Sequence, residues 1–230
     1  MSDIILDNQD VDRIFRGILA QIPHSKNGVA AGAMAAHGAK YRVNWGVSVT
    51  ELRKIASAYE RNHLLALKLW NKQWRETMIL ATLLDEPALL SEEQMDYWTK
   101  SCTTVEMIEQ AVANLFIYSK TAFAKALQYC CGKSWAQHYT GLQLLGRLAM
   151  TDETAIDEMF EAFFEVLPPL AKASALSDVF YRTIVLLAER NERLHNKCLL
   201  FLETLYQSGD ATAQKMAVAL REALEQNDIY

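Results

Sequence analysis

The sequence predicts an all-α protein, and two observations support this fold class. The 230 residues include 9 Gly and only 4 Pro, whereas an all-β chain needs a turn about every 8–12 residues. Apolar residues recur at helical spacing after Ser and Thr residues that can cap a helix. No segment shows the alternation of polar and apolar residues that is typical of a strand.

Three four-residue sequences mark predicted helix starts: Ser48 to Glu51, Ser91 to Gln94 and Thr103 to Glu106. Each has the form of a capping box, in which a Ser or Thr hydroxyl accepts a hydrogen bond from an amide three residues later. Apolar stripes follow these starts, and another begins at Trp135. Further helices are predicted at about 7–21, 26–37, 120–130, 153–166, 174–189, 193–206 and 210–226.

Three segments share a loose pattern of a polar start, a Leu-rich helix, a break and a second apolar helix: Arg75 to Trp98, His138 to Phe160 and Tyr181 to Leu202. A helix pair that cannot bury its apolar face alone stacks on neighbouring pairs. The pattern therefore predicts a HEAT-like α-α superhelix, a curved solenoid of antiparallel helix pairs. A compact bundle is the alternative.

We expect one HEAT-like domain over residues 1–230. Residues 1–40 would form N-terminal capping helices, 40–205 the repeat core, and 206–230 a C-terminal capping helix.

Charge is segregated along the chain. The net formal charge is −5, which does not by itself indicate a nucleic-acid-binding protein. However, residues 40–75 carry a net charge of +6 and residues 111–150 carry +4, while 76–110 and 151–230 each carry −7. Stacked helices could gather the positive segments into one basic face. Alternatively, these residues are ordinary solvated helix faces that point in unrelated directions.

The composition excludes several other classes of protein. No run approaches the roughly 18 apolar residues of a membrane span, and no signal sequence is visible. Four cysteines lack paired or metal-ligand spacing, which indicates buried, reduced thiols in a cytoplasmic protein. The sequence has no HExxH motif, Gly-rich phosphate loop or Cys/His cluster, so we expect neither a metal nor a cofactor.

The segment KYRVNWGVSVTELRKIA, Lys40 to Ala56, interrupts the helical pattern at Trp45-Gly46. Gly46 suits a backbone angle that a larger residue resists. Trp45 is then either a core anchor, a side chain buried at the junction between two successive helix pairs, or part of a binding surface that includes Arg53.

Several stretches together resemble the bacterial DNA alkylation repair family, the HEAT-like helical alkylpurine DNA glycosylases, in a divergent branch. They are NWGVSVTELRKIA (44–56), LALKLW (65–70), RETMILATLL (75–84), VEMIEQAVANLF (105–116) and SWAQ (134–137). The resemblance extends over about residues 40–205. It implies a concave basic face that binds double-stranded DNA and an activity that needs no metal or cofactor. We also expect a monomer that does not associate with a membrane. The resemblance also implies hydrolysis of the N-glycosidic bond of cationic N3- and N7-alkylated purines, in which a carboxylate stabilises an oxocarbenium-like sugar.

The family carboxylate corresponds to Glu109, and Glu106, one turn earlier, is the second catalytic candidate. Each has a structural alternative. Glu106 would be the capping-box partner of Thr103, and Glu109 would form a salt bridge at the edge of the apolar stripe.

The DNA contacts of the family are partly changed in this sequence. The aromatic residue one turn before the carboxylate corresponds to Val105, and the backbone-binding arginine corresponds to His138, for which a half-buried structural histidine is the alternative. The second aromatic residue falls at or beside Tyr181. The predicted DNA-binding residues are Trp135, His138, Tyr181, Arg182, Arg53, Arg75, Lys133 and Trp45.

Three functions remain open from the sequence. The first is a DNA glycosylase for alkylated purines that uses Glu109. The second is a DNA-binding module that has kept the scaffold and lost the chemistry. The third is a solenoid that binds proteins and does not bind DNA.

Overall fold

The computed structural model describes residues 8–227, with side chains described up to residue 225. This part of the chain contains fourteen α-helices joined by short loops and 3-10 turns. Its single β-type contact is an isolated bridge between Val43 and Trp74, so the all-α prediction is confirmed. None of the described helices is both long enough and apolar enough to cross a bilayer.

The chain divides into two compact units, Met1–Ser119 and Lys120–Tyr230. The described helices of the first unit are α1 (Gln9–Gln21), α2 (Gly28–Ala36), α3 (Val49–Ala56), α4 (His63–Asn71), α5 (Arg75–Leu84), α6 (Glu92–Ser101) and α7 (Val105–Asn114). Those of the second are α8 (Ala122–Cys130), α9 (Trp135–Thr151), α10 (Asp157–Glu161), α11 (Pro168–Ala171), α12 (Ser177–Ala188), α13 (Glu192–Gln207) and α14 (Ala211–Asn227). A single repeat domain with capping ends stays a prediction.

The core of the first unit is built around α5. Nine of its ten residues are buried, because α3, α4 and α7 all pack against it. Beside it, the indoles of Trp70 and Trp98 stack with their centroids 4.0 Å apart. The Trp70 indole nitrogen donates to Ser101 Oγ at 3.0 Å. The stack therefore joins the end of α4 to α6.

The core of the second unit is built around α9, which packs against α8 and α12. Gly141 allows this close approach, since a Cβ there would lie 2.7 Å from the amide nitrogen of Cys130. On the opposite helix, Thr183 donates its hydroxyl to the carbonyl of Leu142 at 2.9 Å. A small residue and a cross-helix hydrogen bond therefore set the spacing of the three helices.

Two predicted helix starts are confirmed and one is wrong. Ser48 Oγ accepts from the amide of Glu51 at 3.2 Å, and Ser91 caps α6 in the same way. In α7 the cap is Thr104, whose hydroxyl accepts from the amide of Met107. Glu106 is therefore not the capping-box partner of Thr103, whose hydroxyl donates instead to the carbonyl of Lys40 at 3.2 Å.

Two smaller expectations are also corrected. The helix predicted at 153–166 begins only at Asp157 and ends in a 3-10 turn, because the Asp152 carboxylate holds the amides of Thr154 and Ala155 in a turn. Cys131 is exposed rather than buried, while the three other cysteines are buried as expected.

Candidate functional site

The two candidate carboxylates lie one turn apart on α7 but in different environments. Glu106 forms two hydrogen bonds with Arg75: Nε donates to Oε2 at 2.8 Å, and a terminal nitrogen donates to Oε1 at 2.5 Å. The Arg75 side chain is 1% exposed and that of Glu106 is 30% exposed. A bidentate pair of this kind is a strong, geometrically specific contact.

Tyr41 completes the environment of Glu106. Its hydroxyl donates to Oε2 at 2.6 Å and lies 2.7 Å from the Thr104 hydroxyl. Burial alone would raise the pKa of Glu106, but the hydrogen bonds from Arg75 and Tyr41 outweigh it, so the pKa lies below its ordinary value. Glu106 is therefore a stable carboxylate with both oxygens engaged, which fits a structural role and not the predicted catalytic one.

The neighbouring acid, Glu76, holds the Trp45-Gly46 junction. Its Oε1 accepts from the amides of Trp45 and Val47 at 3.0 and 3.3 Å, and Arg75 donates to the carbonyl of Val47 at 2.8 Å. The Arg75–Glu76 pair thus satisfies the backbone of a loop that has no helix of its own.

Gly46 is required at this junction by both conformation and space. Its φ is +70°, in the left-handed region that favours glycine. A Cβ there would lie 2.0 Å from the carbonyl oxygen of Asn27, at the start of α2. The prediction of a glycine-dependent backbone angle at this position is confirmed.

Trp45 is half-buried and packs edge-on against Trp74, with centroids 5.8 Å apart. Lys72 lies over the Trp74 ring at 4.8 Å. This arrangement favours the core-anchor interpretation of Trp45, and its contact with DNA stays a prediction.

Arg75 must be removed from the predicted DNA contacts. Its guanidinium is enclosed and bound to Glu106, Glu76 and a backbone carbonyl, so it presents no donor to a phosphate. Burial lowers the pKa of Arg75, but the two carboxylates raise it by more than burial lowers it. The net shift of the pKa is therefore upward. Arg53, by contrast, is exposed on α3.

Glu109 is half-buried on α7, one turn after Val105, which is 40% exposed. Residues four apart lie on the same face of a helix. The position that resembles the family carboxylate therefore lies beside a partly open apolar surface, without an aromatic ring at residue 105.

The predicted contacts of the second unit cluster at the start of α9 and on α12. Trp135 is half-buried, and its ring lies 5.4 Å from that of Tyr139. Exposed Arg182 donates to the Tyr139 hydroxyl at 2.9 Å, and Tyr181 beside it is half-buried. The structure therefore brings Trp135 and Arg182 together on Tyr139.

His138 and Lys133 lie near the same helix start. His138 Nε2 lies 2.7 Å from the carbonyl oxygen of Gly132, and because a carbonyl only accepts, this nitrogen carries a proton. The half-buried structural histidine is thus the better description. Lys133 is exposed in the preceding turn.

Sequence reasoning missed Tyr41 and Glu76. The sequence did contain a signal for Tyr41, because the aromatic ring of a tyrosine between two cations in a non-helical segment is expected to pack against the protein. Glu76 had none, because its burial depends on a loop thirty residues away in sequence. Within the described residues, no group of three or more His, Cys, Asp or Glu side chains could hold a metal ion.

Comparisons with known proteins agree with the resemblance found in the sequence. Residues 18–127 match the model of the DNA alkylation repair enzyme family. A solved structure matches with a TM-score of 0.76 and 14% identity, covering 93% of this chain and 94% of that one. It is described as a new family of proteins related to the HEAT-like repeat DNA glycosylases with affinity for branched DNA structures. No curated protein matches the chain significantly. The resemblance to the DNA alkylation repair family and the HEAT-like fold are confirmed.

Proposed function

We propose that this chain, a relative of the DNA alkylation repair enzymes, binds DNA through the phosphate backbone and does not depend on base excision for its function. The observation that carries the proposal is a set of exposed cations in the first unit. Lys40, Arg42, Arg53, Lys54 and Arg61 are all exposed. Of these five, only Lys54 pairs with a described carboxylate, Glu51, at 3.8 Å, while Arg61 donates to the carbonyl of Asp85 at 2.8 Å.

Some cations of the second unit are neutralised by carboxylates. Arg193 pairs with Glu158 and Glu161, and Arg221 pairs with Glu203, all at 2.7 Å. Unpaired cations within an acidic protein are the residues that can exchange counterions for phosphates. From the second unit, exposed Lys133 and Arg182 would add contacts, together with Trp135 and Tyr181. Trp45 of the first unit is a further candidate contact.

We propose that this chain shares the affinity for branched DNA structures that is described for the related family. A branch point presents phosphates on diverging helices, and a protein without base contacts can select it by shape. We expect tighter binding to a four-way junction than to a linear duplex of equal length. We further propose that the protein acts as a monomer in the cytoplasm.

The environments of Glu106 and His138 are the reason for placing binding ahead of excision. Excision needs a carboxylate free to face a developing positive charge on the sugar. Glu106 is committed to Arg75 and Tyr41. At the position that resembles the family arginine, His138 is bound to the carbonyl of Gly132.

Glycosylase activity by Glu109 is the second candidate, because Glu109 is half-buried beside the partly open surface at Val105. Release of methylated base from alkylated duplex DNA tests it. Release by wild type that is lost in Glu109→Gln would support this function, whereas equal release by both proteins would remove it.

Fluorescence anisotropy with labelled duplex and four-way junction DNA tests the main proposal. We expect log K to fall linearly with log salt, by about 0.9 per phosphate contacted. A salt-independent response, or no binding to either DNA, would instead support the protein-interaction alternative.

A further inference from the structure

We infer that a small pocket in the first unit, beside the Tyr41–Glu106 contact, binds one phosphate group. The inference rests on the proposed function, since the phosphate would belong to DNA. The cavity has a volume of about 210 Å³, and its polar lining comes from Lys40, Tyr41, Arg42, Gln73, Ser101 and Thr103. We call it the Lys40–Arg42 pocket.

The two cations of this pocket are available to an anion. Lys40 and Arg42 are exposed, and neither forms an ion pair with any described carboxylate. Both belong to a non-helical segment, in which Tyr41 between them turns its hydroxyl inward to Glu106. An anchored tyrosine flanked by two free cations is an arrangement that directs positive charge outward.

This segment is fixed at Lys40, Tyr41 and Val43. The Thr103 hydroxyl donates to the carbonyl of Lys40 at 3.2 Å, the Tyr41 hydroxyl donates to Glu106 at 2.6 Å, and the amide of Arg75 donates to the carbonyl of Val43 at 2.9 Å. Binding therefore orders only the side chains of Lys40 and Arg42. A pre-organised site loses less conformational entropy when its ligand binds.

The charges around the pocket set the balance that a phosphate would meet. Glu106, which anchors Tyr41, shares the Arg75 guanidinium with Glu76, so this buried cluster carries a net charge of −1, which the two exposed cations of the pocket outweigh. Ammonium and guanidinium groups form short, charge-assisted hydrogen bonds to phosphate oxygens.

Gln73 gives independent evidence that the wall of this pocket is constrained. Its φ is +59°, the only positive value among described non-glycine residues. Its side-chain amide donates to the carbonyl of Trp70 at 2.9 Å, which holds the turn between α4 and α5. Strained backbone of this kind persists where surrounding contacts fix it, and it is often found at ligand sites.

The size of the pocket selects the ligand. Pockets that enclose whole small molecules usually measure about 300–1,000 Å³, and this cavity is smaller. It suits a phosphate and not a nucleotide. Three sources share this chemistry: an internal phosphodiester, a terminal phosphate at a DNA end, and inorganic phosphate.

The test compares wild type with the double variant Lys40→Ala/Arg42→Ala. The matched control, Lys172→Ala/Lys215→Ala, removes two exposed lysines that form no ion pair with described residues. By anisotropy, the pocket variant should bind junction DNA several-fold more weakly. The slope of log K against log salt should shrink by about 0.9, as expected for one lost phosphate contact. The control should bind like wild type.

Further arms distinguish the sources of the phosphate. If a 5′-phosphate increases wild-type affinity over 5′-hydroxyl DNA, and the pocket variant loses this increase, the pocket holds a terminal phosphate. If both DNAs show the same loss in the variant, it holds an internal phosphodiester.

The inference and the proposed function fail in different ways. If wild type binds DNA and the pocket variant matches it in affinity and slope, only the pocket is overturned. If wild type binds no DNA, the proposed function fails. The pocket is then judged by whether inorganic phosphate raises the unfolding temperature of wild type but not of the variant, and equal responses would overturn it.

Discussion

Arg75 and Glu106 lie 31 residues apart in sequence, yet they form a bidentate pair that joins the first residue of α5 to the first turn of α7. Arg75 is almost fully buried, and Glu106 retains a partly exposed edge. The pair also supports the junction at Val47 and the hydroxyl of Tyr41. Glu106 is the second catalytic candidate from the sequence, and in the structure it is the centre of a hydrogen-bonded network.

Replacing Arg75 by Met should lower the free energy of unfolding by about 3–5 kcal/mol, the usual cost of removing one partner of a buried ion pair. The reason is that Glu106 loses both donors from Arg75 and keeps only Tyr41, while Glu76 and the carbonyl of Val47 each lose one donor. Urea denaturation monitored by circular dichroism measures this change. The double variant Arg75→Met/Glu106→Leu should recover part of the loss, and a single variant as stable as wild type would contradict the structure.

The pH dependence of stability should change in Glu106→Gln. Because the pKa of Glu106 is lowered in the folded state, its contribution is present above the ordinary value of 4.5 and is lost as pH falls through the folded pKa. The difference in unfolding free energy between wild type and variant should therefore shrink below about pH 4.5. Urea titrations from pH 7 to pH 3 measure it, and a difference that grows in acid would refute the assignment.

Gly46→Ala should be strongly destabilising, and Gly209→Ala provides the control. Both glycines have positive φ, +70° and +75°, so both variants carry the conformational cost of about 1 kcal/mol or more. Only at Gly46 does the new Cβ meet backbone, the carbonyl of Asn27, while Gly209 has nothing within 4 Å. Thermal unfolding should show a clearly larger loss for Gly46→Ala, and equal losses would argue against the close approach of α2.

Tyr41→Phe should lower stability by about 1.5–3 kcal/mol, since a hydrogen bond to a charged group is lost. Burial and the nearby Glu106 raise the pKa of Tyr41, so the hydroxyl stays protonated at neutral pH and donates throughout that range. DNA affinity should also fall, because the segment that carries Lys40 and Arg42 loses its central anchor. Chemical denaturation and anisotropy on the same samples measure both effects, and an unchanged variant would show that the anchor is dispensable.

The fold class followed from local signals that the tertiary structure does not override. Ser48 and Ser91 cap helices because a hydroxyl can satisfy an amide within its own turn, which depends only on neighbouring residues. The start of α7 was misplaced by one residue because Thr103 and Thr104 both have hydroxyls. The choice between them depends on Lys40, which lies 63 residues away along the chain.

The candidate site was less predictable because it depends on long-range pairs. The sequence gives no sign that Arg75 points inward to Glu106, since an arginine at a helix start equally suits a surface contact. From the sequence, His138 could be a DNA contact or a half-buried structural histidine. The hydrogen bond from its Nε2 to the carbonyl of Gly132 favours the structural role. The catalytic role of Glu109 stays a prediction.

The most direct measurement of the central claim is the affinity for four-way junction DNA across a series of salt concentrations, made together with an assay for released base. We expect tight, strongly salt-dependent binding that leaves the DNA intact. Rapid release of methylated purine that requires Glu109, or binding that is absent or insensitive to salt, would contradict it.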